Sequence, residues 1–174
     1  MITDLNALLR LAGFALAHAA WSVEDGETLV TLAFVEIEAG DREAVRYEFE
    51  TIPEALDAAH EHIAEQLRGG GHAALVVDGY MTLDGGERTD ALFVDLFGTD
   101  GQRVGKIAQA YRPAKRSRIP FVGRASGFAI LGEPVIDRSI DVENAERLLL
   151  EGIREHPHGE RLFASSREPG TTLS

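Results

Sequence analysis

The sequence predicts an α+β fold: a single domain with a mainly antiparallel sheet of about six strands, in two hairpin groups, and three helices packed mostly on one face. The elements follow one another as helix, two strands, helix, four strands and helix, without the alternation that builds parallel sheets. Short glycine-containing turns join consecutive strands, which requires antiparallel neighbours. The 174 residues, 44% of them hydrophobic, are enough for one core and too few for two.

The amino-terminal part predicts a helix followed by a hairpin. Residues 3–20 repeat leucine and alanine at helical spacing, with Thr3 or Asp4 as the N-cap. Residues 28–38 are apolar on both faces, which is typical of a central strand, and residues 44–50 alternate between apolar and polar side chains. We therefore expect an amphipathic first helix and two antiparallel strands.

The middle of the chain predicts a second helix and three more strands. The sequence Thr51-Ile52-Pro53-Glu54 has the capping-box pattern of a helix start, and the glycines at 69–71 end that helix. Strand patterns then follow at residues 73–83, 89–98 and 102–112. The turns between them, DGGE and TDG, are strong hairpin signals.

The last third of the chain predicts one more strand and one more helix. A long connection, residues 112–124, leads into a strand at 128–131, and apolar spacing favours a helix at 141–155. We expect residues 1–160 to form the domain. Residues 161–174 are polar, and we expect them to be a partly disordered tail.

Composition narrows the classes of function. The net charge is −12, so most of the surface should repel a nucleic-acid backbone or an anionic membrane. No cysteine is present, which excludes disulfides, thiolate metal sites and cysteine nucleophiles. The apolar run at residues 11–20 lacks the positive flank of a secretory signal, because Asp4 precedes Arg10. We expect a soluble cytoplasmic protein without a membrane partner.

The sharpest local feature is residues 112–124, RPAKRSRIPFVGR, which we call the basic segment. It holds five of the 17 Lys and Arg residues and no acid, which leaves the rest of the chain with 12 against 29 acids, a net charge of −17. Arginine binds phosphate and carboxylate in bidentate fashion, and the apolar residues 119–122 need a surface to bury against. The candidate binding residues, for an anion or a protein partner, are Arg112, Lys115, Arg116, Arg118, Phe121 and Arg124. The alternative is a solvated loop that faces the molecule's own acidic surface.

Two carboxylates, Asp78 and Asp95, lie on strand faces that otherwise look apolar. A carboxylate among apolar neighbours has a raised pKa and can act as a general acid or base, and it could also complete an anion site beside the arginines. The other interpretation, which we favour, is an ion pair across the sheet with an arginine such as Arg103 or Arg112.

No motif in the sequence indicates a metal, a cofactor or a catalytic nucleophile. His60 and His62 are two residues apart on a predicted helix, about 200° around its axis, so both cannot bind one ion. We expect a partly buried His60 and an exposed His62. The nucleophile-elbow pattern G-x-S-x-G is absent, and the glycines at 69–71 end a helix where a phosphate site would have to begin one.

These observations favour a non-enzymatic protein-interaction or regulatory module, with an acidic body and the basic segment as its docking loop. We expect a protein partner, or a second copy in a homodimer. The alternative is a small anion-binding enzyme or ligand-binding domain, in which arginines of the basic segment act with Asp78 or Asp95. Contact with nucleic acid through the basic segment is the weakest hypothesis, because the rest of the chain is so acidic.

Overall fold

The computed structural model describes residues 3–38, 40–115 and 127–165. Within these ranges it contains four α-helices and seven strands, and all strand pairs are antiparallel. The predicted α+β class is confirmed. In chain order the elements are α1 (Leu5–Val23), β1 (Leu32–Glu36), β2 (Arg42–Arg46), α2 (Ile52–Gln66), β3 (His72–Thr82), β4 (Arg88–Phe97), β5 (Arg103–Arg112), β6 (Ala129–Ile130), β7 (Val135–Ile136), α3 (Ala145–Glu155) and α4 (Gly159–Ser165).

One curled sheet with the strand order β2-β1-β3-β4-β5-β6 carries the fold, and β7 also pairs with β5. Strand β3 pairs with β4 from Ala73 to Thr82, but it pairs with β1 only as far as Val76. The part of β3 beyond Val76 therefore has a neighbouring strand on one side only, within the described residues. This open edge positions the site discussed below.

Three helices, α1, α3 and α4, cover one face of the sheet and form the larger core with it. Asp4 is the N-cap of helix α1, and its carboxylate accepts the N–H groups of Asn6 and Ala7 at 3.0 and 3.1 Å. Its residues are buried on nearly all sides, because it lies between the sheet and α3. Glycines let α1 and α3 approach closely, since a Cβ on Gly152 would lie 1.9 Å from the Arg10 carbonyl oxygen.

Helix α2 covers part of the opposite face. Its buried residues Ala55, Ala59 and Ile63 pack with β1 and β3 in a second, smaller core. The predicted capping box is present: Thr51 Oγ1 accepts the Glu54 N–H, and Glu54 Oε2 accepts the Thr51 N–H at 3.2 Å. Helices thus lie three to one on the two faces, in line with the expectation that they pack mostly on one face.

The carboxyl-terminal region differs from the prediction. The expected helix at 141–155 begins only at Ala145, and a further helix, α4, follows after Pro157. Leu162 and Phe163 of α4 are buried in the larger core, so the expected boundary at residue 160 falls inside a packed helix. Residues 166–174 lie outside the described ranges.

The sheet also has details that the sequence pattern did not predict. Strand β2 ends at Arg46, four residues before the expected end of its pattern, and the two-residue strand β7 was not expected. Between β6 and β7 the buried Gln109 side chain donates to the carbonyl oxygens of Leu131 and Gly132, at 3.0 and 3.4 Å. This amide bridges the gap in the ladder along β5, because the backbone at Gly132 has a positive φ and leaves the sheet.

Across the described ranges, none of the helices combines the length and the apolar character that a membrane-spanning helix requires.

Candidate functional site

A cleft of about 560 Å³ lies beside the open edge of β3. It forms because the chain on either side of the β1–β2 hairpin, residues 28–31 and 47–50, diverges from β3. One backbone hydrogen bond joins these two stretches next to the hairpin, where the Tyr47 N–H donates to the Thr31 carbonyl oxygen at 2.8 Å. The start of α2 and residues 77–80 of β3 complete the walls. We call this the β3-edge cleft.

Exposed apolar side chains are concentrated in the β3-edge cleft. Six large hydrophobic residues of the described chain are exposed, and four of them line this cleft: Val30, Phe49, Ile52 and Tyr80. Phe49 and Tyr80 are 53% and 60% exposed. A fifth, Trp21, lines a second cleft of about 340 Å³ that shares residues 28–30 with the first. Scattered exposed hydrophobic residues are ordinary, but a contiguous group marks an interaction surface.

The charged groups in the lining of the β3-edge cleft are acidic. No lysine, arginine or histidine is among the described residues that line it. One cation lies at its rim, where the Arg88 guanidinium carbon is 4.0 Å from the centre of the Tyr80 ring. The acids of the lining are Glu48, Glu50, Asp78 and Asp90.

Asp78 is the most constrained of these acids. Its two carboxylate oxygens accept the Tyr111 hydroxyl at 3.0 and 3.1 Å, and one of them accepts the Gly79 N–H at 3.0 Å. Burial raises the pKa of Asp78, the two hydrogen bonds oppose that rise, and the nearby Asp90 adds to it. Burial and the Asp78 carboxylate together raise the pKa of Tyr111, so this hydroxyl stays protonated and donates.

Asp95 lies on the other face of the sheet from Asp78, because Asp78 is opposite Leu92 and Asp95 is opposite Leu75. The Arg103 Nη2 atom is 2.7 Å from Asp95 Oδ1, and the Lys106 Nζ atom is 3.6 Å from the same oxygen. This is the cross-strand ion pair that the sequence suggested with Arg103. The structure therefore does not bring the two predicted acids into one site.

Only the first part of the basic segment lies within the described residues. Arg112 and Lys115 are exposed, and Arg112 Nε donates to the Gly127 carbonyl oxygen at 2.7 Å. Arg112 follows Tyr111, the hydrogen-bond partner of Asp78, at the end of β5. Four of the predicted binding residues lie outside the described ranges: Arg116, Arg118, Phe121 and Arg124.

The two histidines of α2 differ from their predicted environments. His60 is exposed, and His62 is half-buried with its Nδ1 atom 2.8 Å from the Tyr47 hydroxyl. The prediction was wrong because Tyr47, which follows β2, lies over the side of α2 that carries His62. Burial raises the pKa of Tyr47 to about 12, with Glu43 contributing, so the hydroxyl is protonated at neutral pH.

A second cluster, which the sequence did not predict, joins α1 to the α3–α4 turn. His18 Nδ1 lies 3.3 Å from Nε2 of the buried His156, and His156 Nδ1 accepts the His158 N–H at 3.2 Å. With Nδ1 of His156 accepting, its Nε2 carries the proton and donates to His18. Burial is the main cause that lowers the pKa of His156 to about 4 and also lowers that of His18.

This histidine cluster has the character of packed core rather than of a metal centre. Trp21 stacks on His158 with the ring centres 5.2 Å apart and the planes 12° apart. Within the described ranges, no three His, Asp or Glu side chains are grouped so that they could hold a metal ion. We therefore assign the cluster to the stability of the fold.

The sequence did not identify Phe49, Ile52 and Tyr80 as binding residues. Phe49 belongs to the alternating pattern 44–50, which predicts a strand, but β2 ends at Arg46 and Phe49 is exposed. These residues are exposed because β1 pairs with β3 only as far as Val76. The local sequence pattern does not show where that pairing ends. No protein-family model matches this chain, and neither does any curated protein or solved structure.

Proposed function

We propose that the protein is a non-catalytic protein-interaction or regulatory module, and that it binds an extended segment of a protein in the β3-edge cleft. The observation that carries the proposal is the concentration of four of the six exposed large hydrophobic residues of the described chain in this one cleft. Large apolar side chains rimmed by polar groups are typical of a surface that a partner covers. The composition is compatible with the cytoplasm, which we propose as the compartment.

The open edge of β3 supports an extended ligand. Residues 77–82 have β4 on one side and no paired strand on the other, within the described chain. A peptide added to such an edge gains backbone hydrogen bonds, while its alternate side chains enter pockets on the surface. The apolar residues Phe49, Ile52 and Tyr80 would supply those pockets.

The chemistry of Asp78 favours binding over catalysis. The Tyr111 hydroxyl and the Gly79 N–H both donate to the Asp78 carboxylate, so the carboxylate acts as a hydrogen-bond acceptor. Tyr111 is a poor nucleophile or base near neutral pH, because its pKa is raised. The alternative of a small anionic ligand fits the cleft poorly, since the lining has four acids and no cationic side chain among the described residues.

A peptide library tests the proposal. We would pan random dodecapeptides displayed on phage against the protein and measure the binders by fluorescence anisotropy. The variant Phe49→Ser with Tyr80→Ser should weaken binding by about tenfold or more, because it removes the apolar walls. The control Ile37→Ser changes an exposed hydrophobic residue that does not line the cleft, and it should leave binding unchanged. A library without binders, or binders equally tight to both variants, would contradict the proposal.

A further inference from the structure

The lining of the β3-edge cleft indicates which kind of ligand would fit it. Its walls are apolar at Val30, Phe49, Ile52 and Tyr80, and its charged lining is wholly acidic in the described chain. A matching occupant would be an extended stretch with apolar side chains at its centre and cations beside them. Such an occupant would bury the exposed rings and bring positive charge to the four carboxylates, beside which the described residues of the lining include no cation.

The chain itself contains such a stretch. The basic segment, residues 112–124, has Ile119, Phe121 and Val122 near its centre, five cations around them and no acid. Pro120 favours the extended conformation, because the residue before a proline is restricted to the β and polyproline regions. Its charge is opposite in sign to the charge of the cleft. We infer that the basic segment of a second copy occupies the β3-edge cleft, an inference that rests on the proposed function and names its partner.

The described residues favour a second copy over the same chain as the source. The Arg112 Nε atom donates to the Gly127 carbonyl oxygen at 2.7 Å, so the chain enters and leaves the stretch 116–126 at the end of β5. From the end of β5, the cleft lies beyond β4 and β3. A chain that reaches it must cross about 10 Å of sheet and then the width of the cleft. A segment of the same chain would have to run out to the cleft and return. Each direction has only about five residues, which reach roughly 17 Å when fully extended. This reach covers the distance to the cleft and leaves little chain to run along the β3 edge, which favours a second copy as the source of the occupant.

Reciprocal exchange would make a closed twofold dimer with two equivalent contacts. Each copy would place Phe121 and its neighbours in the cleft of the other, and Arg116 and Arg118 beside the carboxylates of the lining. The contact would weaken with salt, because part of it joins exposed charges.

Sedimentation equilibrium of the full chain tests the inference. The wild type should be a dimer that dissociates on dilution and at high salt. Two variants should shift it toward monomer by about tenfold in dissociation constant or more: Phe49→Ser with Tyr80→Ser in the cleft, and Arg116→Glu with Arg118→Glu in the segment. Mixing the two variants should restore one of the two contacts, so the mixture should associate more tightly than either variant alone. The control Ile37→Ser should dimerise as the wild type does.

A synthetic peptide of residues 112–124 separates the inference from the proposed function. The peptide should bind the segment variant, whose clefts are intact and vacant, and a scrambled peptide of equal charge should bind at least about fivefold more weakly. A peptide that binds while the full chain stays monomeric at all concentrations would place the segment in its own cleft and overturn the inference. Failure of this peptide with success of library peptides would overturn the inference and leave the proposed function standing. Failure of both would overturn both.

Discussion

The contact between α1 and α3 and the β3-edge cleft are built from similar side chains, yet they differ in what covers them. At the helix contact, leucines and alanines are buried and the backbones touch, with Gly152 against the Arg10 carbonyl. At the cleft, aromatic and aliphatic side chains stay open to solvent. Hydrophobicity alone therefore does not decide whether a side chain is buried or exposed. The difference lies in whether the fold supplies a partner surface, and each prediction below tests one side of this comparison.

The largest expected loss of stability is at the helix contact. Gly152→Ala should lower the free energy of unfolding by about 3 kcal/mol, because the new methyl group collides with the α1 backbone, which cannot move aside as a flexible side chain could. Urea unfolding followed by circular dichroism measures this loss. The control Gly85→Ala places a methyl group in open space and should change stability by less than about 0.5 kcal/mol. Equal stability of the two variants would refute close packing of α1 on α3.

The histidine cluster, also on the packed side, should make stability depend on pH. The folded-state pKa of His156 is lowered to about 4, and that of His18 is lowered as well. Their contribution is complete above the ordinary histidine pKa of about 6.5 and is lost as the pH falls from there toward 4, by on the order of 2 kcal/mol after allowance for solvent screening of these partly exposed rings. His156→Gln should flatten this part of the profile, whereas His60→Gln, at an exposed site, should leave it unchanged. If the wild type, His156→Gln and His60→Gln all showed the same dependence of stability on pH, a neutral His18–His156 pair would be ruled out.

A smaller effect is expected at Tyr111, where core and cleft meet. Tyr111→Phe removes the hydroxyl that stabilises the charged form of Asp78, so the pKa of Asp78 should rise further. The variant should lose about 1 kcal/mol near neutral pH and less in acid, where Asp78 is protonated and the lost bond matters less. Carbon-detected NMR of the Asp78 carboxyl group follows the titration directly. An unchanged or lower pKa would contradict the assigned hydrogen bond.

The cleft itself should show almost no effect on stability. Phe49→Ser with Tyr80→Ser should change the free energy of unfolding of dilute monomer by less than about 0.5 kcal/mol, because both rings are more than half exposed. Thermal unfolding at low protein concentration measures this value. A loss similar to that of Gly152→Ala would mean that the two rings belong to the core, and the comparison between the two regions would fail.

Local patterns predicted most of the elements. The hairpin sequences placed β3, β4 and β5 within one residue of their ends, and the capping box located the start of α2, because turns and caps are encoded by neighbouring residues. The two-residue β7 and the seven-residue α4 were not predicted, since elements this short show no period.

The candidate site was less accessible to sequence reasoning, because its parts are distant in the chain. The side-chain partner of Asp78, Tyr111, is 33 residues away, and His18 contacts His156, which is 138 residues away. The cleft depends on the point where β1 leaves β3, which is set by the packing of the whole sheet. The charge pattern of the basic segment could be found in the sequence, but the surface that complements it could not.

Hydrogen–deuterium exchange at low and high protein concentration tests the central claim most directly. If the β3-edge cleft receives an extended segment of a second copy, the amides of residues 77–82 and 28–31 should exchange more slowly in the concentrated sample. The amides of α1 should be equally protected in both, because its packing does not depend on a partner. Equal exchange of residues 77–82 at the two concentrations, in a sample where sedimentation shows dimer, would contradict the account.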